Sequence, residues 1–147
     1  MEKKKITIIN GPNLNLTGNR EKEYYGETSF EEWLPQISKK FELFNIEYFQ
    51  SNIEGEIINK LQETGFSAFG ILINAGGYTH TSVAIADAVG AITSPVVEVH
   101  MSNILARETY RHLSLIAPKS IGTIAGFGLF SYELGLEYFH NKLVNDN

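Results

Sequence analysis

Glu98 and His100 lie two residues apart, so on a strand their carboxylate and imidazole point to the same side while Val97 and Val99 point to the other. A carboxylate so placed can orient or charge the imidazole, which makes the pair a candidate proton-transfer group. A bare carboxylate inside a sheet covered on both faces would be costly, so the pair must sit near the strand end and be hydrogen-bonded. A lone Glu-x-His more often just holds a loop. The residues that follow, Ser102 and Asn103, can cap a helix whose free amides would receive a carboxylate.

The chain has only three arginines, and all of them follow apolar runs: Arg20 after the first, Arg107 and Arg111 after the fourth. Together with the strand-end histidines His80 and His100 they favour a site for an anionic or hydroxyl-rich ligand over chance placement on the surface. The lysines do the opposite, lying at the N-terminus, on helices or loops, and near the C-terminus, with none after an apolar strand. An imine-forming lysine must be desolvated to be nucleophilic near neutral pH, so a Schiff-base route looks closed. His80, His100 and Asp87 are residue types that bind divalent metals, but their spacing is poor for it and no His-x-x-x-His occurs. No metal is expected.

These groups need strands to carry them. Apolar runs at Ile6–Ile9, Ile46–Gln50, Ala68–Ile73, Val96–Val99 and Ile121–Ile124 alternate with amphipathic segments at Ser29–Leu43, Glu54–Glu63, Thr81–Ala91, Asn103–Leu115 and Leu129–Val144. Several of the runs are apolar on both faces, as parallel strands covered from both sides are. The expected fold is α/β, a flavodoxin-like, doubly wound, five-stranded parallel sheet with helices on both faces, in one catalytic domain over residues 1–147. Thr28 with Glu31, or Ser29 with Glu32, offers a capping box for the first helix, and Pro35 then predicts either a kink or a later start. In such sheets ligands bind beyond the carboxyl ends of the strands, and it is there that the polar segments from Asn10, Ser51, Asn74, His100 and Gly126 lie.

Composition narrows the partners. A net charge of −5 argues against nucleic acid, and the absence of cysteine removes disulfides and thiolate zinc sites. The first apolar run is too short for a secretory core, and none approaches the ~20 residues that span a bilayer. The expectation is a soluble cytoplasmic protein with no membrane partner.

Five ordered blocks run through the chain: Ile9-Asn10-Gly11-Pro12-Asn13-Leu14-Asn15-Leu16; Arg20-Glu21 with Tyr25-Gly26; Gln50-Ser51-Asn52-x-Glu54-Gly55; Asn74 to Ser82; and Glu98 to Asn103 continuing to Arg107 and Arg111. In these the whole chain resembles the type II 3-dehydroquinate dehydratases. The resemblance implies a hydro-lyase of the shikimate route that converts 3-dehydroquinate to 3-dehydroshikimate by anti elimination through an enolate, with no cofactor. It makes Tyr25 the base, Arg20 the group that promotes its ionisation, His100 the acid, Glu98 its orienter, and Asn13 the holder of an enolate-stabilising water. It assigns the substrate carboxylate to Asn74 and the amides of Met101 and Ser102, and the ring hydroxyls to His80 and Arg111. Asp87 resembles a residue that enters from an adjoining subunit, in a homo-oligomer built as a dodecamer of trimers. Lys22 stands where a proline often follows Arg-Glu, and Ile53 where a histidine often stands.

The implied chemistry is sound in magnitude. An ordinary phenol with a pKa near ~10 is a poor base at neutral pH. A guanidinium about 4 Å away in an effective dielectric of ~20 favours the phenolate by about 4 kcal/mol before desolvation takes some back. The long segment Leu14–Glu27, which carries both groups, is expected to act as a lid. A rival reading is a flavin- or phosphate-binding module on the same sheet, although Gly11-Pro12-Asn13-Leu14 lacks the run of small-residue amides that cradles phosphate. A phospho-receiver would want acidic residues where Asn10 and Ser51 stand.

Overall fold

The computed structural model describes residues 2–17 and 28–146. Arg20, Lys22, Tyr25 and most of the expected lid lie outside the described residues. Among the described residues the strands are β1 (Lys4–Asn10), β2 (Phe44–Gln50), β3 (Gly70–Asn74), β4 (Val96–His100) and β5 (Gly122–Ala125). They form one sheet in the order β2-β1-β3-β4-β5, and every neighbouring pair is parallel. That is the doubly wound flavodoxin-like order. The helices are α1 (Phe30–Lys40), α2 (Glu54–Thr64), α3 (Val83–Ala91) and α4 (Phe130–Asn145).

Alternation along the strands divides the core in two. Ile6 and Ile8 of β1, with Leu72, Val97 and Val99, pack under Trp33 and Ile37 of α1 and Tyr132, Leu136 and Phe139 of α4. Ile9, Ile71, Ile73 and Val96 face the other way, toward Ile57 and Leu61 of α2 and Ile85 and Val89 of α3. Two helices thus cover each face, and the fold class agrees with the expectation. Thr7, buried among the apolar strand residues, is matched to Thr64 of α2 by a hydroxyl hydrogen bond of 2.6 Å. Among the described residues no helix is long and apolar enough to cross a membrane.

Ser29 decides where α1 begins, since its hydroxyl accepts from the Glu32 backbone N–H at 3.2 Å. The helix therefore does not start late, and Pro35 lies inside it. The expected helix at 103–115 is a correction. Two short 3-10 turns, Ile104–Ala106 and Thr109–Arg111, stand there, and a third, Ala117–Lys119, follows. Arg107 and Glu108 leave helical geometry between the first two. Leu105, Tyr110 and Leu113 are exposed, so the segment has no apolar face whose burial could hold a continuous helix.

Candidate active site

Register brings the polar strand ends level. Asn10 pairs with both Gln50 of β2 and Asn74 of β3, and His100 closes β4 opposite Ala125. Beyond these ends lies a cavity of about 140 Å³ lined by Asn13, Asn74, His80, His100, Met101, Ser102 and Arg111, together with Arg107. Seven of the eleven residues singled out from sequence therefore share one cleft. Glu98 lies below it, fully buried, with its carboxylate 3.4 Å from His100 Nε2. Arg20 and Tyr25 are outside the described residues, and Asp87 is on the exposed side of α3, away from this cavity.

Each wall has a local cause. Asn13 adopts a left-handed backbone, φ 71°, and its N–H donates to Asn52 Oδ1 at 2.9 Å. Asparagine tolerates that geometry better than other side chains. Gln50 also donates to Asn52 Oδ1 and to the Gly11 carbonyl, so the residues after β2 hold the loop after β1. Gly11 lies against the Ala75 backbone so closely that a Cβ could not fit. Ile53 is exposed, and its N–H donates to Ser51 Oγ, so its departure from the common histidine leaves the cavity lining unchanged.

Asn74 turns its Oδ1 to the Gly76 N–H and donates through Nδ2 to the Tyr132 hydroxyl at 2.8 Å. Tyr132 in turn donates to Asn10 Oδ1 at 2.7 Å. His80 is fixed by a 2.8 Å bond between Nδ1 and the Leu113 carbonyl, which makes that nitrogen the donor and turns Nε2 outward. Its ring stacks over His100 with centroids 6.5 Å apart. Asn103 accepts from the Leu105 N–H as expected of a cap, but only one 3-10 turn follows, so no helix-terminus anion site forms there. Ser102 instead accepts from Arg107 Nη1 at 3.2 Å.

Burial by itself would push the Glu98 carboxyl up. The facing His100 and the hydroxyls of Ser114 and Thr123 outweigh it and hold the group below the usual carboxylate range. Burial pushes the Tyr48 and Tyr132 phenols the other way, upward and away from ionisation. No described tyrosine and no described lysine lines the cavity. Among the described residues no group of three or more His, Cys, Asp and Glu side chains could hold a metal ion.

Arg107, one of the three arginines whose placement favours a ligand site, forms a wall of the cleft, whereas the pairing of Asn10 with Tyr132, and of Glu98 with Ser114 and Thr123 beneath it, is not foreseen from sequence. Ser114, two residues ahead of Ile116-Ala117-Pro118, had the signature of a serine turn; a tyrosine on the buried side of α4 had no such signal.

Residues 4–140 match the sequence model of the family described as dehydroquinase class II. The chain is 53% identical over 136 residues to the 3-dehydroquinate dehydratase of Caldicellulosiruptor bescii, covering 90% of this chain and 94% of that one. It is 52% identical over 134 residues to the enzyme of the same name from Campylobacter jejuni, covering 90% and 84%. Its backbone is similar to the crystal structure of a type II dehydroquinase from Butyrivibrio crossotus, with a TM-score of 0.89, 42% identity and coverage of 94% and 98%.

Proposed function

The chain belongs to the class II dehydroquinase family, and from that premise we infer that its cleft removes water from 3-dehydroquinate to give 3-dehydroshikimate, in the shikimate route, by anti elimination through an enolate. The observation that carries the mechanism is His100 standing over the buried Glu98 at the floor of a cleft lined by Asn74, His80 and Arg111. A proton donor held by a carboxylate that cannot leave is what departure of a hydroxyl requires. The base is assigned to Tyr25 on the resemblance, as the tyrosine that directly precedes Gly26 in the matching block.

In this reading the Tyr25 phenolate, favoured by Arg20, takes the proton from the carbon next to the ketone, and the electron pair moves to the carbonyl oxygen. A water held by Asn13 steadies that enolate. Collapse of the enolate expels the β-hydroxyl from the opposite face, His100 supplies its proton, and water and a conjugated enone result. Asn74 with the amides of Met101 and Ser102 grips the carboxylate, and His80 and Arg111 hold the ring hydroxyls. The assembly is a cytoplasmic homo-oligomer of single catalytic domains, a dodecamer of trimers, in which Asp87 reaches a neighbour's cleft. The exposed position of Asp87 on α3 is compatible with that.

The phosphate-binding alternative is disfavoured by the loop after β1. The N–H groups of Gly11, Asn13 and Leu14 already donate to protein acceptors, which leaves few amides for a phosphate. A cavity of about 140 Å³ is also small for a flavin. Addition of 3-dehydroquinate should produce the ultraviolet absorbance of a conjugated enone, at a rate that borohydride treatment in the presence of substrate leaves unchanged. Inactivation by borohydride would point to an imine and overturn the scheme.

A further inference from the structure

Below His100 the acceptors and donors are arranged in one direction. The Ser114 hydroxyl accepts from the backbone N–H groups of Ile116 at 3.2 Å and Ala117 at 3.0 Å. A hydroxyl has two lone pairs and one proton, so with both lone pairs engaged the proton must go to its remaining neighbour. That neighbour is Glu98 Oε2, at 2.5 Å. The other carboxylate oxygen, Oε1, accepts from the Thr123 hydroxyl at 3.2 Å, across the register pair Glu98–Thr123 between β4 and β5. Glu98 thus receives a proton donor on each oxygen before His100 is counted, and a carboxyl proton of its own would meet the Ser114 proton head-on.

We propose that Ser114 and Thr123 are positioning residues for the elimination: their hydroxyls fix Glu98 as a permanent carboxylate, which sets how tightly His100 holds the proton it gives to the leaving hydroxyl. Neither residue touches the cleft; both act through Glu98. Nε2 of His100 faces the carboxylate and is buried, which leaves Nδ1 as the nitrogen that can serve the cleft. The proposal rests on the assignment of His100 as the acid.

The charged and titratable groups that face His100 are Glu98 from its own strand, His80 stacked from the 3-10 turn after β3, and Arg107 and Arg111 across the cleft. Ser114→Ala and Thr123→Val leave all four in place. Either change removes one proton donor from the carboxylate, which becomes more basic and holds the imidazolium more tightly. His100 then loses its proton at higher pH and is a weaker acid, so kcat falls as the titration midpoint rises.

The test is an NMR titration of the His100 ring in wild type, Ser114→Ala, Thr123→Val and Thr123→Ser, with the resonance assigned through His100→Gln, alongside the pH profile of kcat/KM. The expected result is a rise of His100's midpoint by about half a pH unit or more in Ser114→Ala and Thr123→Val, no shift in Thr123→Ser, and a basic limb of kcat/KM that moves with the ring. Thr123 is exposed on the edge strand, so its substitution tests the idea even if Ser114→Ala disturbs the turn it starts. An unmoved midpoint in both donor-deleting variants would overturn the proposal, whatever the activity. A moved midpoint with no matching limb would keep the carboxylate lock and overturn His100 as the acid.

Discussion

The Tyr132 hydroxyl accepts from Asn74 Nδ2 at 2.8 Å and donates to Asn10 Oδ1 at 2.7 Å, so one buried phenol on α4 sets the orientation of two amides at the sheet's end. Asn10 passes the arrangement on through Nδ2 to the Tyr48 hydroxyl at 3.3 Å. Because Tyr132 and Gly76 fix which way the Asn74 amide points, its second amide proton is left for a ligand in the cleft.

Tyr132→Phe should therefore do two separable things. Leaving Asn74 and Asn10 without their partner costs about 1–3 kcal/mol, read as an earlier midpoint of denaturant unfolding. Loosening the Asn74 amide should raise KM about tenfold with a smaller effect on kcat, since binding of the carboxylate is common to substrate and transition state. A fall in kcat with KM unchanged would mean that Asn74 is not a binding group.

At Asn13 backbone and side chain can be tested apart. Alanine there, at φ 71°, should lose about 1 kcal/mol of stability, while glycine, at ease in that region, should stay within about 0.5 kcal/mol of wild type. Both variants should lose activity alike, about tenfold or more, if the side chain holds the enolate's water. Full turnover in Asn13→Gly would remove the side chain from the mechanism.

Glu98 should also be visible in the pH dependence of stability. Its folded carboxyl is held below the ordinary value. Such a group contributes its full stabilisation above the unfolded value of ~4.3 and loses it as pH falls through the folded value. The stability difference between wild type and Glu98→Gln should accordingly be constant near neutrality and shrink from about pH 5 downward. Thermal melts across that range decide it; a gap that widened on acidification would have the wrong sign.

Much of this architecture could be read from residues alone, and what could not has physical reasons. The strands were legible because Ile6–Ile9, Ile71–Ile73 and Val96–Val99 are apolar on both faces, which only a doubly covered sheet explains. A helix start was legible where a side chain caps it, as at Ser29. The stretch from Asn103 to Leu115 misled because its composition suits a helix, yet Leu105, Tyr110 and Leu113 are turned out and only tertiary contacts reveal that. The cleft's rim was legible from strand-end position. Its underside was not, because Tyr132, Ser114 and Thr123 come from elements 16 to 122 residues away from their partners, and no local pattern records such pairings.

The proposed elimination turns on a phenolate base at Tyr25 acting opposite His100. Enone formation from 3-dehydroquinate should be followed at 25 °C for wild type, Tyr25→Phe and, as a control, Tyr24→Phe at equal concentrations, because the resemblance gives the neighbouring Tyr24 no part in the reaction. Tyr25→Phe should lose roughly three orders of magnitude or more of turnover with KM little changed, and Tyr24→Phe should show only a mild effect. A Tyr25→Phe enzyme that kept its turnover within about tenfold of wild type would contradict Tyr25 as the base.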